Sequence, residues 1–409
     1  MLFIYTFTHY VMTLSRSLSN YDTTSRIIMQ EDQSNEKIER YLEKKFRISH
    51  SFNTKTTYYA ALKKFTEFAR VRFDHSLDEM LNQIFEKSTD SLNILDEYYT
   101  FLSNYKTKTK RNGYSSEATN QYIRVAKDFL NHQGCKIYNE DMKMKFRLPK
   151  RVSSYQKGLT REAINRVIRF ANPKLATVIL IACSSGMRIG EIIQLKTSDV
   201  DLDATPAVIT IRAETTKTRE TRLTHISSEA KNALRDYLAR YDSSDGTQNE
   251  YLFLREHELE GEGEDAQLSA EEKYFRFVIA SKHNLESQLD RCIKKIPELN
   301  AKNENQKNWI HFHAFRAWFK TQVTDAHQSD FAEALMGHKS LKLVYYMQND
   351  KVRAKTYADI EYAVTISDSE KIDRDYSDMQ RDNSELRGIV DLLSRQLRSL
   401  EKKIEITAH

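Results

Sequence analysis

The sequence predicts a mainly α-helical protein with two domains, the second of which includes a small antiparallel β-hairpin sheet. Three observations support this. Helix-period apolar patterns recur along most of the chain, which contains only 10 Gly and 4 Pro in 409 residues. The length exceeds the roughly 250–300 residues at which single cores stop growing. One segment, residues 207–227, alternates β-branched and polar residues on both sides of a polar turn, which is typical of a hairpin.

The composition is typical of a soluble, highly charged globular protein, with 40% hydrophobic and 30% charged residues. The net charge is only +5, so the distribution of charge says more about nucleic acid than its sum. Cys135, Cys183 and Cys292 fit no metal or disulfide framework, which favours a reduced, cytoplasmic compartment. The apolar opening, residues 1–14, is shorter than the roughly 20 residues of a membrane span and lacks a basic signal-peptide region.

The first 35 residues show no clear periodicity and are expected to form a poorly ordered lead. Residues 36–150 contain four or five helix patterns with polar connections, which predicts a compact all-helical domain. Two of its connections are basic, "YKTKTKRNGY" (105–114) and "KMKFRLPKR" (143–151).

The second domain is expected over residues 155–366. It begins with a helix that has Thr160 as its N-cap, followed by a buried helix in "PKLATVILIACSSG" and a third in "MRIGEIIQLKTSDV". After the hairpin, the acidic stretch 255–272 is expected to be a surface insertion, with helices resuming near Tyr274. Residues 370–409 predict a C-terminal amphipathic helix, which either forms a short coiled coil or packs on its own domain.

Two segments of the second domain place basic side chains at a helix start and at the hairpin turn. In "SGMRIGEIIQL", Arg188 follows a glycine at the helix start, and Glu191 lies one turn later on the same face. Such an arginine can bind a phosphate with Glu191 orienting it, or the pair can simply fix the fold. In the turn "TTKTRETR", Lys217 lies at the tip beside Arg219 and Arg222. A lysine there is either solvated or able to protonate a leaving oxygen.

Two further segments carry histidines and tyrosines. In "HFHAFRAWFKTQ", His313 and Arg316 share a helix face. A zinc site is disfavoured, because arginine is not a ligand and no carboxylate or cysteine completes the spacing. In "LMGHKSLKLVYYMQND", His338 follows a glycine, and Tyr345 and Tyr346 come seven and eight positions later. Tyrosines on a helix are packing residues by default, and a nucleophile is the alternative.

The order Arg, Lys, His-x-x-Arg, Gly-His, Tyr resembles the tyrosine recombinase (phage integrase) superfamily, in particular the integrases of archaeal mobile elements. The resemblance covers about residues 36–365. "SSGMRIGEIIQL" resembles the family's first-arginine box, "HFHAFRAWF" its His-x-x-Arg box and "LMGHKSL" its Gly-His box. It implies that residues 36–150 form a DNA-binding (core-binding) domain and residues 155–366 the catalytic domain.

Carried onto these positions, the resemblance implies an enzyme that cleaves and rejoins DNA through a covalent 3′-phosphotyrosyl intermediate. Arg188 and Arg316 would bracket the phosphate oxygens, and His338 would donate a hydrogen bond to them. His313 would assist proton movement, and Lys217 would protonate the leaving 5′-oxygen. This chemistry requires no metal, cofactor or ATP.

The nucleophile itself departs from the family pattern. In many members it follows the Gly-His histidine by nine residues, a position that Met347 occupies here. Tyr345 is the favoured nucleophile, because similar archaeal enzymes place it first in such a pair. Tyr346 is the close alternative, and Tyr357 a distant one.

The implied partners are double-stranded DNA attachment sites and further copies of the chain, forming a tetramer on DNA in a cytoplasmic, nucleoid-associated setting without a membrane. The C-terminal helix could pass between protomers. Three alternatives stay open: a type IB topoisomerase-like relaxase, a DNA-binding regulator that no longer cuts, and a purely helical scaffold. The basic residues predicted to contact DNA are Lys106, Lys108, Lys110, Arg111, Lys143, Lys145, Arg147, Lys150, Arg151, Arg219 and Arg222.

Overall fold

A computed structural model of the chain describes residues 34–73, 77–106, 113–145, 158–245, 250–253, 269–301, 308–338, 349–367 and the single residue 386. The described residues up to 145 belong to one compact unit, the N-terminal unit, and those from 158 onward to another, the second unit. Within these ranges the protein is mainly helical with one small antiparallel sheet, which confirms the predicted fold class. None of the described helices is both long and apolar enough to cross a membrane.

The described part of the N-terminal unit consists of helices whose core combines aliphatic side chains with several large aromatic rings. Tyr98 packs edge-on to Phe65 with 5.0 Å between ring centroids, and Phe68 lies at 5.2 Å. All three rings are fully buried, so large apolar surfaces hold this unit together. Its helices are α1 (Ser34–Ser49), α2 (Phe52–Phe73), α3 (Leu77–Phe85), α4 (Ser91–Asn104), α5 (Ser116–His132) and α6 (Asn139–Lys145).

The second unit combines helices with a sheet of strand order β1-β2-β3, antiparallel throughout. Strands β2 and β3 pair in register from Ala207 opposite Ile226 to Ile211 opposite Arg222, as the hairpin pattern predicts. The strands are β1 (Val200–Asp201), β2 (Ala207–Ile211) and β3 (Arg222–Ile226). The helices are α7 (Arg161–Phe170), α8 (Pro173–Ser185), α9 (Ile189–Ile193), α10 (Ser228–Asp245), α11 (Ala270–Lys294), α12 (Phe312–Asp325), α13 (Ser329–Met336) and α14 (Asp350–Val364).

Helix α8 is the buried centre of the second unit. Asn172 caps its start by accepting the Leu175 N–H at 2.8 Å, and Pro173 opens the first turn. The helix ends at Gly186, whose φ of +64° is left-handed, and a Cβ there would overlap the Phe319 ring. Two independent reasons therefore require glycine at position 186: its left-handed backbone conformation and the close approach of the chain to α12.

Two helix boundaries differ from the sequence expectation. The predicted third helix is only the five-residue α9, because the chain turns at Lys196, whose backbone N–H donates to the Asp199 carboxylate at 2.9 Å. Helix α11 begins at Ala270, before the expected Tyr274, because Ser269 and Glu272 form a capping box within the acidic stretch. The rest of that stretch, the predicted lead up to residue 33 and the C-terminal helix, apart from residue 386, lie outside the described residues.

Candidate active site

Helix α9 positions the first predicted pair. Arg188 is its N-cap residue, and the Arg188 backbone N–H donates to Glu191 Oε2 at 2.8 Å. The Arg188 guanidinium donates to Glu191 Oε1 at 3.0 Å. The Arg188 side chain is 32% exposed, whereas that of Glu191 is 2% exposed. The carboxylate is therefore buried, while the guanidinium that it orients still reaches the surface.

A second arginine shares this carboxylate. Arg222, the first residue of β3, donates from Nη2 to Glu191 Oε2 at 2.7 Å and from Nε to the Leu335 carbonyl at 2.9 Å. Burial alone would raise the pKa of Glu191, but the hydrogen bonds and charges of Arg222 and Arg188 lower it below its ordinary value. Arg222 was predicted to contact DNA, and its guanidinium instead points inward, with its side chain 9% exposed.

The glycine of the Gly-His segment makes room for Arg222. Gly337 ends α13 with a left-handed φ of +68°. A Cβ added there would lie 2.9 Å from Cδ and 3.0 Å from Nε of Arg222. The position needs glycine for both reasons, which ties the turn before His338 to the arginine that holds Glu191.

Arg316 lies at the centre of the site on α12 and is 1% exposed. Its Nη1 donates to the Gly186 carbonyl, and its Nη2 donates to the Met336 carbonyl at 2.8 Å. The same Nη2 lies 3.0 Å from His338 Nε2. Burial, followed by the charge of Arg188, lowers the pKa of the Arg316 guanidinium to about 10. Arg316 therefore still carries its charge near neutral pH.

The protonation state of His338 follows from its two partners. Arginine nitrogens only donate, so Nε2 accepts from Arg316, and the ring proton lies on Nδ1. Nδ1 is 2.5 Å from Glu333 Oε2, and Glu333 also pairs with Lys320. In this arrangement Nε2 is an acceptor, whereas the predicted role of His338 requires it to donate to a phosphate.

His313 lies on the exposed start of α12, three residues before Arg316. Burial lowers the pKa of His313, and the charges of His311, Arg316, Arg188 and His338 lower it further. The imidazole therefore lies within the electrostatic range of these groups and favours its neutral form.

Lys217 is exposed on the turn between β2 and β3. Its neighbour Thr216 is buried, and Arg219 has a left-handed φ of 55°. Thr216 therefore packs into the protein, while the adjacent Lys217 is exposed to solvent. Lys106 and Lys143, both predicted to contact DNA, are exposed on the N-terminal unit.

The remaining predicted residues are not brought into view. Tyr345 and Tyr346 lie outside the described residues, between His338 and Asn349. So do Lys108, Lys110, Arg111, Arg147, Lys150, Arg151 and the side chain of Lys145. Tyr357, the distant alternative nucleophile, is fully buried and donates its hydroxyl to the Ser184 carbonyl at 2.7 Å. Burial raises its pKa, so Tyr357 is a packing residue in this structure.

Residues on either side of the tyrosine-bearing segment 339–348, Leu335 and Arg353, are hydrogen-bonded to β3. Before it, the Leu335 carbonyl accepts from Arg222. After it, Arg353 on the first turn of α14 donates to the Leu223 carbonyl at 2.9 Å. Since Arg222 and Leu223 are adjacent, one strand bonds the chain on either side of residues 339–348.

Glu333 was missed at the sequence level. It lies five residues before His338, across the glycine that ends α13, and the signal for it is an acid at that distance from a histidine. Within the described ranges, no group of three or more His, Cys, Asp or Glu side chains is arranged to hold a metal ion.

Comparison with known proteins finds a family whose model matches the part of the chain that carries these residues. The model of the phage integrase family matches residues 157–353. Among curated relatives, Tyrosine recombinase XerA of Thermococcus onnurineus is 26% identical over 155 residues, which is 37% of this chain and 51% of the relative. Its counterpart in Thermococcus kodakarensis is 27% identical over 150 residues, 36% of this chain and 49% of the relative. The chain thus spans about half the length of these relatives.

Solved structures with similarity include the crystal structure of XerA recombinase, at 21% identity and a TM-score of 0.34, covering 80% of this chain and 98% of that one. XerH site-specific recombinase bound to palindromic difH substrate reaches 21% identity and a TM-score of 0.48, covering 80% and 84%. A lambda integrase dimer bound to a COC′ core site reaches 16% identity and 0.48, covering 78% and 96%. With scores below 0.5, the fold description rests on this chain's own elements.

The family match spans every described residue of the hydrogen-bonded site, from Arg188 and Glu191 to Arg316 and His338. Residues 157–353, just under half of the chain, match the model of the phage integrase family, and the two curated archaeal relatives similar to this chain are tyrosine recombinases.

Proposed function

We propose that this protein is a site-specific DNA recombinase that cleaves and rejoins DNA strands through a covalent 3′-phosphotyrosyl intermediate. One observation carries the proposal: two neighbouring groups of buried and half-buried charges, together named the cation cluster, within the region that matches the family model. One group consists of Arg188, Glu191 and Arg222, and the other of Arg316 and His338. Arg222 and Arg316 bond the adjacent carbonyls of Leu335 and Met336, which brings the two groups together.

The charge balance of the cation cluster favours an anionic ligand. Its three guanidiniums face a single carboxylate, Glu191, which two of them already share. Arg316 bonds two backbone carbonyls, so no carboxylate in direct contact neutralises it among the bonds described above. Excess fixed positive charge at a half-buried position is what a pentavalent phosphate requires, because its charge increases in the transition state.

The proposed first step exchanges one bond to phosphorus for another. The oxygen of Tyr345, or of Tyr346, attacks the phosphorus, and the bond from phosphorus to the 5′-oxygen breaks. The tyrosine proton leaves with the help of His313, and Lys217 gives a proton to the departing 5′-oxygen. Arg188 and Arg316 stabilise the non-bridging oxygens. The phosphotyrosyl bond retains the energy of the broken bond, so a 5′-hydroxyl of another strand can reverse the step without ATP.

Two further features support delivery of a tyrosine to this cluster. The chain leaves the cluster at His338 and returns at α14, and β3 is bonded to residues on either side of the intervening segment. Tyr345 is seven residues from His338, so it stays within about 25 Å of the cluster even on a fully extended chain.

The proposed partner is duplex DNA, bound mainly through its phosphates. The basic connections 105–114 and 143–151 and the turn that carries Arg219 would supply the contacts. In this proposal residues 36–150 are the core-binding domain and residues 155–366 the catalytic domain. Strand exchange between two duplexes requires four protomers, and residues 370–409 would pass between them.

The experiment that tests the proposal is covalent trapping. A duplex that the purified protein selects from a randomised pool is nicked near the bound site, so that the short strand diffuses away after cleavage and the adduct persists. Wild type, Tyr345→Phe and Tyr346→Phe are run on a denaturing gel without divalent metal. We expect a protein–DNA adduct in wild type and Tyr346→Phe, and none in Tyr345→Phe.

The other outcomes are equally informative. Loss of the adduct only in Tyr346→Phe keeps the mechanism and moves the nucleophile by one residue. Tight binding by wild type without any adduct, at every nick position, would overturn the proposal in favour of a DNA-binding protein that no longer cuts. Relaxation of supercoiled plasmid by a monomer would favour the topoisomerase-like alternative.

A further inference from the structure

The loop that carries Lys217 is fastened at both ends to the segment around α9, the helix that begins at Arg188. The loop, here named the lysine loop, comprises residues 212–221. Arg212 stands at its start, directly after β2, and Arg222 follows its end. Because Arg222 bonds Glu191 on α9, the far end of the lysine loop is already tied to the cation cluster.

Arg212 makes the corresponding hydrogen bonds at the first residue of the lysine loop. Its Nη2 donates to the carbonyl of Gln194, the C-cap residue of α9, at 2.7 Å. Its Nε donates to Asp199 Oδ2 at 2.9 Å, and Nη1 donates to Glu214 at 2.7 Å. Asp199 is buried and also accepts the Lys196 N–H, so this carboxylate is held from two sides. Arg212 thus joins the lysine loop to the chain that leaves α9.

The lysine loop is internally bonded as well. The hydroxyl of Thr216 donates to the Ala213 carbonyl at 3.0 Å and accepts the Glu220 N–H at 3.1 Å. The Thr215 hydroxyl donates to the Arg212 carbonyl at 2.9 Å. These hydrogen bonds hold residues 212–220 together as one short bonded segment. A displacement of Arg212 should therefore also displace Lys217.

We infer that Arg212 is a positioning residue for Lys217: it fixes the lysine loop relative to α9, and so sets the distance from the general acid to the phosphate held by Arg188. The inference rests on the proposed function and extends it to a residue outside the cation cluster. Arg212 is set back at the base of the loop, 20% exposed, and acts through Lys217 and not on the DNA.

The nature of the leaving group separates this role from a general loss of structure. Cleavage of the natural bond releases a 5′-alkoxide, which needs a proton from Lys217. If sulfur replaces the bridging 5′-oxygen, the leaving group is a thiolate, stable near neutral pH because a thiol has a pKa near 8.5. A defect in delivering the proton therefore disappears on the sulfur substrate, whereas a defect in binding, folding or phosphate stabilisation remains.

The test compares single-turnover cleavage of the selected duplex with oxygen or with sulfur at the cleavage position mapped for wild type. Lys217→Ala is expected to lose about 10²-fold or more on oxygen, in line with general-acid catalysis. Arg212→Ala should lose about tenfold or more on oxygen. Both variants should cleave the sulfur substrate within roughly threefold of wild type.

Arg235 offers a matched control, since it likewise bonds a backbone carbonyl, that of Leu202 at 2.9 Å, and an aspartate, Asp203. It lies on α10 and braces the turn between β1 and β2, so Arg235→Ala should match wild type on both substrates. Arg212→Lys guards against misfolding of the alanine variant, because it keeps the charge but cannot bond Asp199 and Gln194 together. It should show an intermediate rate on oxygen and the wild-type rate on sulfur.

An Arg212→Ala protein that is equally slow on both substrates, or that matches wild type on oxygen, would overturn the inference. If Lys217→Ala is rescued by sulfur while Arg212→Ala is not, the proposed function stands and only this inference falls. If wild type forms no adduct with the oxygen substrate, the proposed function itself fails.

Discussion

The two units bury different kinds of side chain. In the described part of the N-terminal unit, the largest fully buried side chains are aromatic, such as Tyr41, Phe65 and Phe129, and the buried charged residue is Lys55. In the second unit, the fully buried set includes Arg316, and Glu191 and Asp199 are buried as well. Among the described residues, the N-terminal unit thus buries one charged side chain, whereas the second unit buries several, with Glu361 among them.

The difference in buried charge between the two units indicates which part of the protein is not arranged for stability alone. A buried ion pair often contributes less than an apolar pair of the same volume, because both charges lose their hydration. Glu191 and Arg316 bond groups at the ends of α8, α9 and α13. By contrast, Asp199 pairs with Arg212, and Glu361 accepts the Ser228 N–H. A cluster whose guanidiniums outnumber the carboxylate in contact with them is suited to the phosphate of the proposed function.

The largest expected effect is the loss of chemistry on changing Arg316. Arg316→Lys keeps a positive charge, but one ammonium cannot bond Gly186, Met336 and a phosphate in the same geometry. We expect adduct formation to fall by about 10²–10³-fold, the usual effect of removing one transition-state donor. The measurement is the single-turnover rate of covalent trapping at saturating DNA.

Phe129→Ala in the N-terminal unit is the counterpart to Arg316→Lys. It should destabilise that unit by about 3–5 kcal/mol by leaving a cavity. Below its unfolding temperature it should nevertheless trap DNA within a few-fold of wild type when DNA is saturating. A loss of adduct in Phe129→Ala as large as that in Arg316→Lys would contradict the contrast between the two cores.

The next effect is on stability and its pH dependence. Glu191→Gln removes the charge that Arg188 and Arg222 share, and should destabilise the second unit by about 2–3 kcal/mol at pH 7. The pKa of Glu191 is lowered in the folded protein, so its stabilisation is present above the unfolded value near 4.3. This stabilisation is lost as pH falls through the pKa of Glu191 in the folded protein. The free energies of unfolding of wild type and Glu191→Gln should therefore converge in that range.

Urea unfolding followed by tryptophan fluorescence measures this, because both tryptophans, Trp309 and Trp318, lie in the second unit. Glu36→Gln, which removes an exposed partner of Arg40 on α1, serves as a control and should change stability by less than about 0.5 kcal/mol. If the difference in free energy of unfolding between wild type and Glu191→Gln stayed constant from pH 7 to pH 3, the carboxylate charge would contribute nothing to stability.

A smaller effect is expected at Glu333. Glu333→Gln keeps a hydrogen-bond acceptor for His338 Nδ1 but removes the negative charge of that acceptor. We expect adduct formation to fall about tenfold, consistent with the loss of a charge-assisted hydrogen bond. Lys320→Met, which removes the other partner of Glu333, is the control, and its half-exposed ammonium should matter less than twofold. Equal losses in both variants would mean that Glu333 acts by general charge and not through His338.

Sequence patterns predicted local features better than long-range ones. The Thr160 N-cap and the hairpin pairing depend on neighbours in sequence, and both are present. The inward turn of Arg222 was not predicted, because its partners Glu191 and Leu335 are 31 and 113 positions away. The contacts of Arg212 with Gln194 and Asp199 and of Glu333 with His338 were also missed, because a charged residue near a motif resembles a solvated one until its tertiary contacts are known.

The order of motif residues predicted more than any single motif. Arg188, Arg316 and His338 each have an ordinary packing interpretation, yet the structure brings Arg316 within hydrogen-bond distance of His338 and within electrostatic range of Arg188. The choice between Tyr345 and Tyr346 stays a prediction, since both depend on a segment outside the described residues.

The smallest expected effect lies in the N-terminal unit. The Asp128 carboxylate accepts the Tyr41 hydroxyl at 2.6 Å and pairs with Lys45 at 2.5 Å, yet it is 42% exposed. Asp128→Asn keeps the first bond and loses the charge of the second, so the local cost should be about 0.5–1 kcal/mol. Hydrogen exchange of peptides from α1 and α5 measures it.

The same variant should leave covalent trapping at saturating DNA unchanged, because this pair stabilises a fold and takes no part in the chemistry. Tyr41→Phe is the matched variant, since it removes the hydroxyl and leaves Asp128 paired with Lys45. If either change reduced the trapping rate at saturating DNA by tenfold while protection of α1 and α5 stayed intact, polar groups of the N-terminal unit would contribute to catalysis directly. The division between a core built for stability and a core built around charge would then no longer describe this protein.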